Sequence, residues 1–306
     1  MPSFECQATK AIIRFNHLFT LWGHTPIGYQ RFHLDFLGGL APRARGVESH
    51  TCDANGVNAE WLVPKDSGND TAILYLHGGG YVLGSIKSHR AFVGTIAAAA
   101  QSPTFIINYR LAPEWPFPAA LEDAVASYKW LLAEGFTPEN IVIAGDSAGG
   151  GLSVATLISL RDSHDPLPAG AMLISPWTDL ALDGDSIDAL ARKDPMLTRY
   201  QLATTAQMYL GGTDASNPLV SPIHGDLTGL PPLCIHVGTC ERLLDDSRRL
   251  AERAREDGVE VELEIWDGMF HVWHSMTLMP ESRAAVRKLG EFFESVTGSA
   301  AVGMSP

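Results

Sequence analysis

A serine between two glycines, placed where an apolar run meets a helix-like stretch, constrains the fold of this chain more than any other feature. Residues 145–149 read Gly-Asp-Ser-Ala-Gly; residues 141–144 before them are typical of a buried strand, and residues 152–160 after them of a helix. A side chain on so tight a turn crowds the backbone, and glycines on both sides relieve the crowding because they lack a Cβ. The sequence therefore predicts a strand, a sharp turn and a helix, with Ser147 raised above a sheet.

A glycine-rich segment that follows another apolar run supplies the donors that such a serine needs. A serine hydroxyl is a weak nucleophile until a base removes its proton, so Ser147 predicts a histidine, an orienting carboxylate and N–H groups for an oxyanion. Residues 71–76 read as a buried strand and lead directly into residues 77–80, His-Gly-Gly-Gly. Without side chains, these glycines can turn N–H groups toward a cavity. The predicted oxyanion-hole donors are the N–H groups of Gly79, Gly80 and Ala148, followed by that of Gly78.

Two histidines near the end of the chain compete for the role of the base. The strand-like residues 259–266 are followed by Asp-Gly-Met-Phe-His-Val-Trp-His at 267–274. His271 comes soon after the glycine of a strand-end loop, so we expect its side chain to lean over the ends of the strands. His274 is expected to pack beside the following helix, and His77 to stabilise the glycine loop rather than to transfer a proton.

The orienting acid is expected between Ser147 and His271, in the chain order serine, acid, histidine. The strand-like residues 233–237 precede Gly-Thr-Cys-Glu-Arg-Leu-Leu-Asp-Asp at 238–246. Glu241 is favoured because a carboxylate just past a strand end can reach the histidine. Asp245 and Asp246 remain alternatives, although acids in the first turn of a helix also serve to complement its dipole.

Three motifs together resemble the bacterial hormone-sensitive-lipase family of esterases. They are His-Gly-Gly-Gly at 77–80, Tyr-Arg-Leu-Ala-Pro-Glu at 109–114 and Gly-Asp-Ser-Ala-Gly-Gly at 145–150, and the resemblance spans most of the chain after Val47. It implies an α/β-hydrolase fold with Ser147 as nucleophile and His271 as base. Glu241 stands where the family usually has aspartate, and the fold accepts either acid.

The strand and helix signals alternate along the chain, which predicts an α/β fold: a mainly parallel central sheet flanked by helices, with a helical cap. Two strand-like stretches at 47–52 and 57–63, joined by Asp-Ala-Asn-Gly at 53–56, are expected to form an antiparallel hairpin at the start of the sheet. The predicted domain organisation consists of an N-terminal cap segment at 1–45, a catalytic core at 46–181 and 220–297, a cap insertion at 182–219 and a flexible tail at 298–306.

The two cap segments carry apolar residues whose partners the sequence leaves open. Ile12, Phe15, Phe19 and Trp22 recur at near-helical spacing within residues 11–40, which suits either a cap face or ordinary core. By resemblance, the cap covers the cleft. We expect Tyr81, Trp177, Met208 and Trp273 to line that cleft.

Composition excludes several classes of protein. A formal net charge of −13, without a local Lys/Arg cluster, argues against nucleic-acid partners. The N-terminus lacks an apolar run long enough for an export signal or a membrane span, so we expect no membrane insertion and a cytoplasmic location. No dinucleotide fingerprint, P-loop or metal-ligand cysteine spacing is present, so neither cofactor nor metal is predicted. The resemblance also allows a homodimer.

These observations predict a serine carboxylesterase that hydrolyses small esters of short- to medium-chain acids through an acyl-enzyme on Ser147. Lactones and amides or formamides are alternative substrates, because they offer a carbonyl to the same serine. A ligand receptor built on the same fold is a third hypothesis. It is disfavoured because receptors of that kind lack a working base, whereas His271 is present.

Overall fold

The computed structural model describes residues 2–20 and 25–298, without the side chains of residues 16–20, and its centre is an eight-stranded sheet. The strands expected at 71–76, 141–144, 233–237 and 259–266 are present, with ends shifted by at most two residues. The eight strands are β1 (Val47–Ala54), β2 (Val57–Pro64), β3 (Ala72–Leu76), β4 (Thr104–Ile107), β5 (Ile141–Asp146), β6 (Gly170–Ile174), β7 (Leu233–Gly238) and β8 (Val261–Trp266).

The strands follow the order β1-β2-β4-β3-β5-β6-β7-β8 across the sheet. β2 pairs antiparallel with β1 and with β4, and every neighbouring pair from β4 to β8 is parallel. Parallel neighbours need a crossover connection, which helices provide. The predicted α/β architecture with a mainly parallel sheet is confirmed.

Helices cover both faces of the sheet. Two of them begin with reciprocal capping boxes, formed by Ser85 with Ser88 and by Thr198 with Gln201, which satisfy N–H groups left free at the helix start. The described helices are α1 (Phe4–Thr20), α2 (Ile27–Leu40), α3 (Ile86–Ala100), α4 (Ala119–Ala133), α5 (Ala148–Asp162), α6 (Ser186–Ala189), α7 (Arg199–Leu210), α8 (Leu244–Glu256) and α9 (Pro280–Thr297).

The alternation of side chains along β3 divides the core into two layers. Leu74 and Leu76 pack in the cluster that contains α4 and α5, whereas Ile73 and Tyr75 pack in the cluster that contains α3 and α9. All four side chains are fully buried. A strand buried on both faces reads as a continuous apolar run, which explains why β3 was recognisable in the sequence.

The predicted hairpin is also confirmed. Ala54 pairs with Val57, and the two residues between them, Asn55 and Gly56, have φ angles of 54° and 96°. Positive φ at both central residues is what a tight two-residue hairpin turn requires, and asparagine and glycine adopt it most easily.

The N-terminal apolar stripe does not belong to the main core where the structure describes it. Ile12 and Phe15 of α1 are 61% and 60% exposed. The side chain of Phe19, the residue Trp22 and the predicted tail after residue 298 lie outside the described part of the chain.

Replacement of Arg90 by alanine should destabilise the fold because it leaves a buried carboxylate without its partner. Arg90 of α3 donates two hydrogen bonds of 2.5 Å to Glu60 of β2, whose side chain is only 2% exposed. Removal of one member of such a pair costs about 3 kcal/mol or more. Urea unfolding of Arg90→Ala would measure the loss.

Arg287→Ala is the matched control for this experiment. Arg287 and Glu291 form an ion pair within α9, with side chains 71% and 63% exposed. The loss of such a pair changes stability by less than about 0.5 kcal/mol. Equal changes in the two variants would show that burial of Glu60 has no energetic consequence.

Candidate active site

Ser147 occupies the turn between β5 and α5 in a backbone conformation that side chains rarely adopt, with φ of 54° and ψ of −121°. Backbone hydrogen bonds on both sides hold this conformation. The Ser147 N–H donates to the carbonyl of Ile174 over 2.8 Å, and the Ser147 carbonyl accepts from the N–H of Trp177 over 2.9 Å. The turn predicted from the sequence therefore carries the hydroxyl at the carboxyl end of the sheet.

The glycines beside Ser147 allow three backbone segments to touch. A Cβ at Gly145 would overlap the carbonyl oxygen of Gly149, and a Cβ at Gly149 would overlap that of Leu76 at the end of β3. A backbone atom cannot move aside as the end of a side chain can, so both positions require glycine.

His271 lies in the loop after β8 and bridges the other two predicted residues of the triad. Its Nε2 is 2.9 Å from Ser147 Oγ, and its Nδ1 is 2.9 Å from Glu241 Oε2. In this arrangement the hydroxyl donates to Nε2 and the Nδ1–H donates to the carboxylate. Hydroxyl, imidazole and carboxylate in this order form the constellation used for nucleophilic acyl transfer.

Glu241 is fully buried in the loop after β7, and both of its oxygens have partners. Oε1 accepts hydrogen bonds from the N–H of Gly238 over 2.5 Å and from Ser175 Oγ over 3.0 Å, which leaves Oε2 for His271. Two donors on one oxygen orient the carboxylate, so the longer side chain of glutamate still presents its second oxygen to the histidine.

The alternative acids and the alternative base have other partners. Asp245 accepts a hydrogen bond of 2.7 Å from the N–H of Ser186. Asp246 Oδ2 accepts from two backbone N–H groups, and burial raises the pKa of this carboxyl to about 8. His274 Nε2 is 3.1 Å from His236 Nδ1, in a buried pair of rings. None of these contacts involves Ser147 or His271.

Ser175 is a site residue that the analysis of the sequence missed. It follows β6, adopts a φ of 48°, donates to Glu241 and accepts a hydrogen bond of 3.1 Å from the N–H of Val272. It therefore joins the loop of the acid to the loop of the base. Ser175 follows an apolar strand next to the strand that carries Ser147, and this position could have indicated a residue of the site.

Burial sets the electrostatics of the acid and the base. Burial alone would lower the pKa of His271, but the hydrogen bond and charge of Glu241 outweigh it and hold that pKa above its usual value. Burial also raises the pKa of Glu241, against the opposing effect of His271. The imidazolium that forms during acyl transfer is thus stabilised by the adjacent carboxylate.

The glycine loop follows β3, whose last residue pairs with Gly145 of β5, two residues before Ser147. Among the described residues, Gly79 and Gly80 have no hydrogen-bond acceptor for their N–H groups, and Ala148 begins α5, where N–H groups lack partners within the helix. The N–H of Gly78 instead donates to Asp146 Oδ1 over 3.0 Å. The loop therefore leaves the N–H groups of Gly79 and Gly80 available and engages that of Gly78.

His77 contacts the loop rather than the serine. Its Nδ1 is 2.8 Å from the carbonyl oxygen of Gly78, and its own carbonyl accepts a 2.7 Å hydrogen bond from the hydroxyl of Tyr109. The rings of His77 and Tyr109 stack with centroids 4.3 Å apart. Burial, followed by the charge of His89, lowers the pKa of His77 to about 3, so it is neutral in its resting state.

The segment of residues 182–219, which the sequence predicts to be a cap insertion, is anchored to the loop that carries Glu241. The N–H of Arg242 donates to Asp194 over 2.9 Å, and its guanidinium donates to the carbonyl oxygens of Ile187 and Leu197. From the same insertion, Thr205 of α7 lies over the glycine loop, since a Cβ at Gly80 would meet its side chain at 3.1 to 3.3 Å. Thr205 therefore lies close above Gly80.

Three of the four residues expected to line the cleft are fully buried. Tyr81 stacks on Tyr209 with centroids 3.7 Å apart, Trp177 donates its indole N–H to the carbonyl of Asp179, and Trp273 packs in a small cluster with Met279. Each of the three is at most 1% exposed. Met208 of α7 is partly buried against the main core.

Comparison with known proteins agrees with this geometry. A family model described as the alpha/beta hydrolase fold matches residues 73–275. An acetyl-hydrolase of Streptomyces hygroscopicus is 48% identical over 241 residues, which are 78% of this chain and 80% of that protein. A crystal structure of an esterase from the bacterial hormone-sensitive lipase family superposes with a TM-score of 0.94 at 41% identity, covering 97% of this chain and 100% of the other. The chain belongs to this family of α/β-hydrolases.

A further structure resembles the hydrolase as closely. The esterase EstE5, from a crystal soaked with p-nitrophenyl butyrate, has a TM-score of 0.92 and 44% identity, and the match covers 97% of this chain and 100% of that one. The hydrolase is accordingly a carboxylic ester hydrolase, and the resemblance inferred from its motifs is confirmed.

In the portion that the structure describes, no helix combines the length and apolar character needed to cross a membrane.

Gly149→Ala should damage both stability and activity of the hydrolase. The added methyl group would overlap the carbonyl oxygen of Leu76 and lie 2.7 Å from that of His77. Overpacking of this kind costs roughly 1–3 kcal/mol, and a displacement of Ser147 by about 1 Å is enough for a hundredfold loss of rate. Urea unfolding and ester hydrolysis would measure the two effects.

Gly28→Ala provides the control, because a Cβ at Gly28 in α2 would meet no atom within 4 Å. Unchanged or slightly higher stability is expected, since alanine favours a helix over glycine by up to about 1 kcal/mol. If Gly149→Ala matched this control in both measurements, the close contact with β3 would not constrain the turn.

Proposed function

We propose that the protein is a serine carboxylesterase that hydrolyses esters of short- to medium-chain acids through an acyl-enzyme on Ser147. The observation that carries this proposal is the chain of two 2.9 Å contacts from Ser147 Oγ to His271 and from His271 to Glu241. It provides a nucleophile, a base within reach of its proton and an acid that orients the base.

In the first half of the reaction, Ser147 Oγ attacks the ester carbonyl while His271 Nε2 accepts the hydroxyl proton. The carbonyl oxygen becomes an oxyanion, which the N–H groups of Gly79, Gly80 and Ala148 stabilise. These donors act on charge that develops in the transition state, and the loss of one such donor typically reduces kcat about 100- to 1000-fold. His271 then protonates the departing alcohol and leaves the acyl group on Ser147.

In the second half, water takes the place of the alcohol. His271 removes a proton from the water, which attacks the acyl-enzyme, and the imidazolium returns that proton to Ser147 Oγ as the carboxylic acid departs. Throughout, Glu241 keeps the proton on Nδ1 and stabilises the imidazolium. Its own two donors, Gly238 and Ser175, keep the carboxylate in the required orientation.

The preference for small acyl groups rests on the close approach of the insertion to the loop donors. Thr205 lies above Gly80 at a distance that would scarcely admit one methyl group. The relative named acetyl-hydrolase and the neighbour soaked with a butyrate ester accord with a small acyl group. We assign residues 1–45 and 182–219 to a cap over a core of 46–181 and 220–297. A homodimer and a cytoplasmic location remain predictions.

Hydrolysis of p-nitrophenyl esters from acetate to laurate, by the wild type and two triad variants, tests the proposal. The wild type should prefer the shorter esters. Ser147→Ala removes the nucleophile and should reduce kcat roughly 10⁶-fold. Glu241→Gln allows the wrong imidazole tautomer and should reduce kcat about 10⁴-fold.

Asp245→Asn is the control that distinguishes the two acids. Asp245 bonds to the N–H of Ser186 and does not contact His271, so this variant should retain kcat within a few-fold of the wild type. A large loss in Asp245→Asn together with an active Glu241→Gln would refute the assignment of the acid. A wild type that prefers laurate would refute the proposed acyl range.

The pH dependence of kcat/KM should report the raised pKa of His271. Only neutral His271 can accept the proton of Ser147, so activity should fall about tenfold per pH unit below that pKa, which lies above the usual value of about 6.5. The hydrogen bond and charge of Glu241 oppose the lowering effect of burial and raise this pKa. Glu241→Gln should therefore move the acidic limb to lower pH, besides reducing kcat.

The two profiles can be compared on p-nitrophenyl acetate, with more enzyme for the slower variant. Asp245→Asn should keep the wild-type limb because it leaves the pair of Glu241 and His271 intact. An acidic limb that stays at the same pH in Glu241→Gln would mean that Glu241 does not set the pKa of the base.

A further inference from the structure

Asp146, the residue before Ser147, connects the nucleophile turn to the glycine loop of residues 77–80. Its Oδ1 accepts hydrogen bonds from the N–H of Gly78 over 3.0 Å and from the hydroxyl of Tyr75 over 2.8 Å. The carboxylate lies against Gly78 so closely that a Cβ there would overlap Oδ2. The position of Asp146 therefore determines where the loop begins relative to Ser147.

His89 of α3 faces the other oxygen of this carboxylate. Its Nε2 is 3.6 Å from Asp146 Oδ2, and the two side chains are 13% and 4% exposed. Around the ring are His77 from the loop after β3, with centroids 5.3 Å apart, and Asp35 from α2, whose charge also favours protonated His89. Because His77 is neutral, the Asp146 carboxylate and the Asp35 charge decide the protonation of His89.

The contacts around His89 favour a doubly protonated ring. Nδ1 is 3.3 Å from the carbonyl oxygen of Ser85, which can only accept, and 2.8 Å from Ser88 Oγ, which can donate to that same carbonyl over 2.9 Å. A proton on Nδ1 satisfies both contacts. A neutral ring would then point the Nε2 lone pair at a carboxylate, which is unfavourable, whereas an imidazolium places an N–H there.

The electrostatics agree with this geometry on both sides of the pair. Burial would lower the pKa of His89, but the Asp146 carboxylate outweighs it and the pKa is raised. Burial would raise the pKa of Asp146, but the charge of His89 outweighs that effect and the pKa is lowered. Each charge thus favours the ionised form of its partner.

The same network extends to the N-terminal segment. Ser85 Oγ, at the start of α3, donates to Asp35 of α2 over 2.5 Å. The two helices touch at their backbones, because a Cβ at Gly38 would come within 2.5 Å of Ser88 Cα. A continuous set of contacts therefore runs from α2 through the start of α3 to Asp146.

We propose that His89, as an imidazolium held between Ser88 and Asp146, is a positioning residue for the glycine loop, and that Asp35 of α2 stabilises the positive charge of His89. The inference rests on the proposed esterase function and deepens it. His89 does not touch substrate. It holds the Asp146 carboxylate, which in turn holds Gly78 and so places the N–H groups of Gly79 and Gly80 relative to Ser147.

Two neutral variants separate the two nitrogens of the ring. The amide of His89→Asn can replace Nδ1–H toward Ser88, and that of His89→Gln can replace Nε2–H toward Asp146. His89→Asn should reduce kcat roughly 10- to 100-fold with little change in KM, as expected for a misplaced donor loop. His89→Gln should recover part of that loss. His50→Asn, at an exposed position on β1, is the control and should match the wild type.

The pH profile on ethyl butyrate, followed by acid release, distinguishes positioning by charge from simple packing. The charge of His89 is lost as pH rises through its raised pKa, so wild-type kcat should fall along an alkaline limb. This limb should be absent in His89→Asn and His89→Gln. It should move to lower pH in Asp35→Ala, because the charge that helps to raise the pKa is removed.

Several results would overturn the inference. Wild-type kcat and an alkaline limb in His89→Asn would show that the ring has no such role. Equal losses of kcat in both variants, with the alkaline limb retained, would show that His89 acts through packing alone. An active wild type with unchanged His89 variants refutes this inference alone, whereas a wild type inert on every ester refutes the proposed function as well.

Discussion

The contact between the nucleophile turn and the end of β3 is the constraint on which the rest of the structure depends. The carbonyl oxygen of Leu76 occupies the space that a side chain at Gly149 would need, and Leu76 pairs with Gly145 across the parallel ladder. Ser147 and the glycine loop therefore emerge side by side at the same edge of the sheet.

Two buried pairs of carboxylate and imidazole lie on either side of this turn. Glu241 and His271 belong to the loops after β7 and β8, whereas Asp146 ends β5 and His89 belongs to α3. In a poorly solvated interior each carboxylate favours a protonated partner. The first pair needs that preference only while the proton of Ser147 is in transfer. In our proposal, the second pair holds the glycine loop whose N–H groups stabilise the oxyanion.

Much of this arrangement was predictable from the sequence because it depends on local rules. Strands buried on both faces read as apolar runs, the consecutive residues Asn55 and Gly56 indicate a tight turn, and the glycines around Ser147 indicate a turn too crowded for a Cβ. The choice of Glu241 over Asp245 was harder, since residues 241–246 after β7 include three carboxylates. Only the path of the chain after the strand directs Glu241 toward His271 and Asp245 toward Ser186.

The sequence by itself determined the class of fold, the nucleophile turn and the kind of chemistry, because strand periodicity, the need for glycine and the reactivity of a serine are properties of short segments. The tertiary structure decided which distant side chains meet: Ser175 with Glu241, His89 with Asp146, and Thr205 with the glycine loop. It also decided that three aromatic residues expected in the cleft are fully buried. These outcomes depend on the packing of elements far apart in the chain, and contacts at that range leave no periodic pattern in a single sequence.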